Sequence, residues 1–373
     1  MKTLKFKPLN LAYNFLVVFA IAAVFFGITP QVAMASAGVA VATGTALSLM
    51  ENSFALMAIQ VEIWQNHIEE EIFADNSFLR FSHNADDYLI NSKVVHIPQS
   101  GGSGNVVKNR SSLPATVRKR TDTDVIYLLD EFTTDPVLIP NADTKELSYD
   151  KRQSVLGEDR DKIVQTIAEE TIYNWLYSGA HGTYAASAFP SGNVLSTTGT
   201  LEVIASAPSA TGNRKAMTIT DLQTMQAFFR ARNLWKEGKM YCMLPPTFLV
   251  QAFPADSVIT ATYMQNVTEA ERRAGVMMKA QGWNILSRSS VARVNGAGTV
   301  LAPGAAGSAT DDEAALFWYT EAVEYAFGGV VAFENEGDPT FYGDVYSFLA
   351  RSGGRARRAG YEGIALLKQA KSA

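Results

Sequence analysis

Residues that commonly carry catalysis or metal binding are scarce in this chain of 373 residues. It contains one cysteine and four histidines, and no two histidines share the spacing of ligands in a structural zinc site. A single cysteine cannot form an intramolecular disulfide, so the sequence does not require an oxidising compartment. Cys242 lies in the apolar run Met240–Leu244, where a thiol is expected to pack as a small core side chain.

Motifs of common enzyme sites are also absent from the sequence. There is no Gly-x-Ser-x-Gly nucleophile turn. The glycine-rich run 101–104 lacks the following Lys-Ser/Thr of a phosphate loop, and residues 296–298 lack the third glycine of a dinucleotide site. Asp122 and Asp124 lack the further acids and the glycine of a calcium loop. We therefore expect no enzyme activity, no metal and no cofactor.

Charge is scarce as well. Charged residues make up 18% of the chain, residues 8–50 contain none, and the formal net charge is −5. This balance excludes a general attraction to nucleic acid, so any such contact requires a local basic cluster. The length is sufficient for one large domain or a few small ones.

A projecting hairpin is predicted within residues 93–140. Residues 94–97 and 125–129 are β-branched or apolar runs typical of strands, and residues 100–105 form a Gly/Ser/Asn-rich turn. Few large apolar side chains lie between them, so this part is not expected to bury much surface.

Basic residues cluster on this hairpin and acidic residues follow them. Such a pattern is typical either of a solvated face or of an arm that lies on a neighbouring molecule. We expect the second, with contacts between subunits. The residues are Lys108, Arg110, Arg118, Lys119 and Arg120, followed by Asp122, Asp124, Asp130 and Glu131.

A long helix is predicted next, because apolar residues recur with a period of 3.6 from Ile163 to Leu176. Gly157 predicts a break, so the helix is expected to begin near Glu158 and to stop at Gly179. Later helices are expected to begin at two capping boxes. These are residues 220–223, with a helix ended by Gly238, and residues 268–271, with a helix to about Lys279.

The C-terminal part contains a Gly-Asp-Pro turn at residues 337–339 and a glycine-spaced arginine cluster. We expect an exposed loop with modest ion pairing. The alternative is that these flexible arginines neutralise phosphates without reading sequence and so face DNA. The arginines are Arg351, Arg355, Arg357 and Arg358.

An extended arm, a long helix and a late Gly-Asp-Pro turn, in that order, resemble the major capsid protein of tailed bacteriophages of the Hong Kong 97 type. The resemblance covers about residues 57–369. It implies an α+β fold with an N-terminal arm, an extended hairpin called the E-loop, a peripheral domain with a long spine helix, and an axial domain. The expected divisions are 1–56 (hydrophobic extension), 57–92 (N-terminal arm), 93–140 (E-loop), 141–218 (peripheral domain), 219–316 (axial domain) and 317–373 (return to the peripheral domain and tail).

The resemblance also implies a function. Copies of such a protein assemble as hexamers and pentamers into an icosahedral shell around double-stranded DNA, with scaffolding protein, maturation protease and portal as further partners. The expected location is the virion, assembled in the cytoplasm of the bacterial host. The alternatives are a secreted or membrane-tethered surface protein and an encapsulin-type nanocompartment shell.

Residues 1–56 depart from the family pattern. Lysines precede an apolar run over residues 11–28, and Ala-Ser-Ala follows at 35–37, which is the layout of an export signal. Three interpretations stay open: a targeting or membrane element, a region that acts during assembly inside the shell, or a reading frame extended upstream of a start at Met57. A membrane contact is expected only if the segment is retained, and we expect it to be absent from mature particles.

Overall fold

The computed structural model describes residues 77–90, 94–101, 106–111, 113–114, 117, 119, 122–140, 151–177, 179, 187–255 and 257–372. All of them belong to one unit, His67–Ala373. The predicted N-terminal arm, residues 57–92, lies mostly outside these ranges. Its described part includes a 3-10 turn at Ser77–Phe81.

The described residues form five α-helices and seventeen β-strands. The helices are α1 Lys151–Leu176, α2 Ile219–Ala231, α3 Pro246–Ala252, α4 Val258–Gln265 and α5 Glu269–Arg273. The first nine strands are β1 His83–Asn84, β2 Leu89–Ile90, β3 Val94–Gln99, β4 Thr123–Leu128, β5 Asp130–Thr133, β6 Val137–Pro140, β7 Val194–Ser196, β8 Glu202–Ile204 and β9 Asn213–Lys215. The others are β10 Met240–Leu244, β11 Met278–Ala280, β12 Trp283–Ser287, β13 Ala292–Val294, β14 Asp312–Tyr319, β15 Val323–Asp338, β16 Gly343–Ala356 and β17 Ile364–Lys368.

Helix α1 is longer than the sequence predicts. It runs through Gly157 without interruption, so the expected break there is wrong. A glycine inside a helix costs only about 1 kcal/mol relative to alanine, which a helix of this length tolerates when its apolar face is packed. Ile163, Ile167 and Ile172 are buried on that face. The helix ends at Leu176, three residues before the predicted stop at Gly179.

One sheet is built on the long antiparallel pair β15 and β16. β1 adds to the outer edge of β15, while β5 and then β6 pair with the outer edge of β16. Helix α1 packs along β16, and Trp175 Nε1 donates a 2.9 Å hydrogen bond to the backbone oxygen of Glu324.

The prediction of a flexible arginine-containing tail is wrong, because residues 343–356 are strand β16. Phe348 and Ala350 are buried, so the segment has an apolar face. Gly354 is needed because α1 and β15 pack closely against it, and not because the backbone there has to be flexible. A Cβ atom there would lie 2.8 Å from the Glu324 oxygen and 3.0 Å from Trp175 Nε1, and both contacts are too short.

The second large sheet has the order β11-β12-β10-β14-β17-β7 among the described strands, with β13 beside β14. Its core includes Phe229, Trp283 and Phe317. β17 pairs with β14 here, although the sequence placed residues 364–368 in the segment returning to the peripheral domain.

Two helix predictions in this region need correction. α2 begins two residues earlier than expected, because the capping box is formed by Thr218 and Asp221 and not by Thr220. The helix ends at Ala231, before the predicted stop at Gly238. The capping box of Thr268 and Glu271 is confirmed. The helix it starts is one turn long, because residues 278–280 pair with β12 as a strand.

The predicted hairpin is confirmed by the antiparallel pairing of β3 with β4. Its root has a small core of its own, in which Val95, Val125 and Tyr127 pack with Ala326 of β15. The expectation of little buried surface concerns only the segment between these strands, and the residues described there between 106 and 119 are all exposed. Residues 106–107, in the described part of the tip, do not form a strand.

Candidate assembly surface

The hairpin of residues 94–128 is called the arm below and is distinct from the N-terminal arm predicted for residues 57–92. It presents basic and apolar side chains at its tip. Lys108, Arg110 and Lys119 are exposed, while Arg118 and Arg120 lie outside the described residues. The apolar side chains are exposed as well: Val106 is 97%, Leu113 79% and Val117 94% accessible. Solvated loops do not need such side chains, and apolar patches next to charge are typical of protein contacts.

The acidic residues of the arm have partners within the chain. The backbone N–H of Gly101 donates to Asp122 Oδ1 at 2.9 Å, and His96 Nδ1 lies 2.7 Å from Asp124 Oδ2. At the root, Asn174 Nδ2 of α1 donates to Asp130 at 2.9 Å. These contacts lie within one chain. The predicted contact of the same acids with a neighbouring copy stays a prediction.

The tail arginines also contact the root of the arm. Arg355 Nη1 donates a 2.6 Å hydrogen bond to the backbone oxygen of Ile126 in β4. Arg351 forms an ion pair of 3.0 Å with Glu131 in β5. The backbone oxygen of Arg357 accepts a 2.6 Å hydrogen bond from Gln99 Nε2 in β3. Arg358 is exposed. Two of the four candidate DNA-facing residues, Arg355 and Arg357, therefore bond to the arm, and Arg351 is paired beside it in β5.

A buried charge lies beneath this junction. Glu324 Oε2 is 3.2 Å from Arg357 Nε, and its side chain is 3% exposed. Burial raises the pKa of Glu324, and the Arg357 guanidinium opposes that rise. The pKa of Tyr127 is raised mainly by burial and, to a smaller extent, by the nearby Glu324 carboxylate. Burial also lowers the pKa of His83, and Arg357 contributes in the same direction.

A cleft of about 420 Å³ separates the arm from the body beside this junction. Its walls are the end of β3 on one side, and the turns after β14 and β16 on the other; they include Pro98, Gln99, Glu321, Arg357 and Arg358. The arm is therefore attached here by a few polar bonds, and its packed contacts lie nearer the small root core.

Neither a metal centre nor a reactive thiol is found in the described ranges. No group of three His, Cys, Asp or Glu side chains there is placed to hold a metal ion. Cys242 is fully buried, and burial raises the pKa of its thiol, which favours the unreactive protonated form. None of the described helices is both long and apolar enough to cross a membrane.

The sequence predicts the Gly-Asp-Pro turn, but it missed the exposed aromatic side chains in this turn, which covers residues 337–343 between β15 and β16. Phe341 is 55% and Tyr342 80% exposed. The sequence signal was the pair of adjacent aromatics after Gly-Asp-Pro, but exposure of an aromatic residue cannot be read from sequence when either face of a strand pair is a candidate for burial.

Comparison with known proteins relates the whole described architecture to virus shells. No protein-family model and no curated protein sequence matches the chain. Solved structures do match. The capsid of Ralstonia phage GP4 has a TM-score of 0.55 at 14% identity, over 79% of this chain and 88% of that one. The capsid of cyanophage Pam1 has 0.54 at 10%, over 78% and 91%. The capsid of cyanophage P-SCSP1u has 0.50 at 18%, over 78% and 87%.

The fold is therefore that of tailed-phage capsid proteins, the α+β fold of the Hong Kong 97 type that the sequence predicts. At this level of identity the likeness defines the architecture. Within it, the arm corresponds to the predicted extended hairpin, and α1 to the predicted long helix.

Proposed function

We propose that this chain is a structural major capsid protein of a tailed phage or prophage. Its copies assemble as hexamers and pentamers into an icosahedral shell around double-stranded DNA, in the cytoplasm of the host. The likeness to capsid structures supports this proposal. The proposal gives the protein a structural role and no catalytic one.

The observation that carries the proposal is the arm. Its tip exposes Val106, Leu113 and Val117 together with Lys108 and Lys119, and none of the described tip residues between 106 and 119 is buried. Burial of apolar area contributes roughly 25 cal/mol per Å², so covering these side chains with another copy supplies a driving force. Exposed ion pairs contribute up to about 1 kcal/mol each, and a shell repeats them in every subunit.

Several partners follow from the same proposal. A scaffolding protein would guide assembly, a protease would mature the shell, and a portal would admit DNA. Contact with DNA by the tail arginines stays a prediction. Arg358 is its best-placed candidate, because Arg351, Arg355 and Arg357 have the intramolecular contacts described above.

Sedimentation and electron microscopy of the full chain test the proposal, with and without the proteins encoded beside its gene. Closed particles, or hexamers and pentamers, are the expected products. A species that stays monomeric under every condition contradicts the proposal. A neighbouring portal, terminase or protease gene would support it independently.

A further inference from the structure

The end of α2 and the loop that follows it carry a run of basic residues. Residues 230–239 contain two arginines, two lysines and a single acid, Glu237. The chain as a whole has a formal net charge of −5, so this excess of positive charge is local. A local basic cluster attracts anions to one place on a protein that otherwise repels them.

The loop folds back on α2 and holds the arginines in fixed positions. The guanidinium carbon of Arg230 lies 5.0 Å from the ring centroid of Trp235, and that of Arg232 lies 3.7 Å from the ring centroid of Phe228. Arg232 Nη1 also donates a 2.7 Å hydrogen bond to Asn193 Oδ1. Cation–π contacts hold a guanidinium against the ring face, so less side-chain freedom is lost when these arginines bind a ligand.

The fold places this loop beside Arg358. The cleft next to the root of the arm is lined by Leu234 from the loop and by Arg357 and Arg358 from the turn after β16. Lys239 Nζ forms an ion pair of 2.9 Å with Glu321, which lines the same cleft. Residues far apart in the sequence therefore form one surface, called the basic surface below. It consists of Arg230, Arg232, Lys236, Lys239, Arg357 and Arg358.

Acidic side chains near the basic surface do not neutralise it. Four of them lie there against six basic ones, and three are already in ion pairs with Arg230, Lys239 and Arg357. Lys236 and Arg358 are exposed and have no acidic partner among the described residues. The surface therefore keeps two unpaired cations. The four acids are Glu237, Glu321, Glu324 and Glu362.

The basic surface also lacks the apolar area of a protein contact. None of the exposed large apolar side chains in the described part of the chain falls within residues 228–239 or 356–363. A protein–protein interface has an apolar core, whereas an interface with nucleic acid is polar and strongly positive. Guanidinium groups also match the geometry of phosphate oxygens. A phosphate backbone is therefore the ligand that this surface fits.

We propose that the basic surface binds the phosphate backbone of double-stranded DNA inside the shell. This rests on the proposed function and adds the end of α2 and its loop to the residues that face DNA. Arg358 becomes one member of a larger surface. Contacts to phosphates carry no sequence information, as the enclosure of a long DNA of any sequence requires.

Binding of duplex DNA by the full chain tests the proposal. The probe is a labelled random-sequence duplex, whose fluorescence anisotropy is measured over a series of salt concentrations. Lys236→Ala should weaken binding and lower the slope of the logarithm of the binding constant against that of the salt concentration by about 1, because one phosphate contact is lost. Lys236→Ala combined with Arg358→Ala should lower the slope by about 2. Both side chains are exposed, so the thermal midpoint should not change.

Arg273→Ala combined with Lys371→Ala is the matched control. Both residues are exposed and lie outside the basic surface, and their replacement changes the net charge by the same amount. The control should bind the duplex as the wild type does. If it loses as much affinity as the double variant, the chain attracts DNA by total charge, which overturns the proposal. Unchanged binding of Lys236→Ala overturns it too, because Lys236 is the unpaired cation that the loop contributes.

Particles separate this proposal from the proposed function. Cryo-electron microscopy of wild-type particles should show the basic surface on the inner side of the shell, next to DNA density. Particles with this surface on the outside overturn the DNA contact and leave the capsid function. Variants that assemble poorly but bind the duplex normally do the same, since the surface would then contact a protein. Absence of particles from the wild-type chain under every condition overturns both.

Discussion

Arg355 Nη1 donates a 2.6 Å hydrogen bond to the backbone oxygen of Ile126, which ties strand β16 to the root of the arm. We expect Arg355→Ala to lower the free energy of unfolding by about 1–3 kcal/mol, as for a charged hydrogen bond that leaves a carbonyl without its donor. Limited proteolysis should cut the arm faster, and particles should form more slowly.

Arg358→Ala is the matched control for this prediction, because Arg358 is exposed and lies three residues away. It should leave stability and proteolysis unchanged. If it lowers the DNA content of particles while Arg355→Ala does not, the DNA-facing role belongs to Arg358. If the two variants changed the rate of arm proteolysis equally, Arg355 would not be the residue that positions the arm.

Replacing Arg118, Lys119 and Arg120 together by glutamate should leave the monomer folded and block or greatly slow assembly. The arm tip carries little core, and its positive charge is the proposed attraction to a neighbour. High salt should slow the wild type as well, because ions screen exposed charges. Circular dichroism reports the fold and light scattering the assembly. Assembly at the wild-type rate in low and high salt, or an unfolded monomer, contradicts this prediction.

Gly354→Ala should destabilise the fold by about 1–3 kcal/mol, a usual effect of overpacking. The added methyl group would lie 2.8 Å from the Glu324 backbone oxygen in β15 and 3.0 Å from Trp175 Nε1 in α1, so both β15 and α1 would have to shift. Chemical denaturation measures the change. Full stability of Gly354→Ala would show that α1 does not sit closely on β16.

Gly157→Ala provides the opposite test in the same helix. A Cβ atom at Gly157 meets no other atom within 4 Å, and alanine favours a helix interior over glycine by about 0.5–1 kcal/mol. We therefore expect a more stable protein in the same denaturation experiment. A loss of stability would mean that the helix does break at Gly157, as the sequence suggested.

The stability contributed by Glu271 should depend on pH in the acid range. Hydrogen bonds from Lys279 and from Thr268 lower the pKa of Glu271 from 4.5 to about 2. Because the folded pKa is lowered, the contribution is present above about pH 4.5 and is lost as the pH falls toward 2. Glu271→Gln should lower the thermal midpoint slightly at neutral pH and flatten its decline below pH 4.5. Identical melting curves for mutant and wild type across this range would contradict the assignment.

The sequence predicts the elements whose pattern is local. The period of the apolar residues locates α1, and the β-branched runs locate β3 and β4. Thr268 and Glu271 predict a capping box because its two hydrogen bonds span three residues. These features depend on neighbours in the chain, so one sequence is enough to find them.

The errors concern residues whose role depends on distant partners. Gly354 reads as a flexible residue until Trp175 is placed against it, and Arg355 reads as a free charge until Ile126 lies beside it. The exposure of Phe341 and Tyr342 depends on which sheet face α1 covers. None of these contacts leaves a local pattern, so the arginines in and after β16 were interpreted as free charges and the exposed aromatics at residues 341–342 were missed.

Cryo-electron microscopy of particles formed by the full chain tests the central claim most directly. We expect icosahedral shells of hexamers and pentamers, in which each copy has the two-sheet fold described above and its arm lies on an adjacent copy. Monomers or irregular aggregates at every protein and salt concentration, with and without the products of neighbouring genes, would contradict the assignment as a capsid protein.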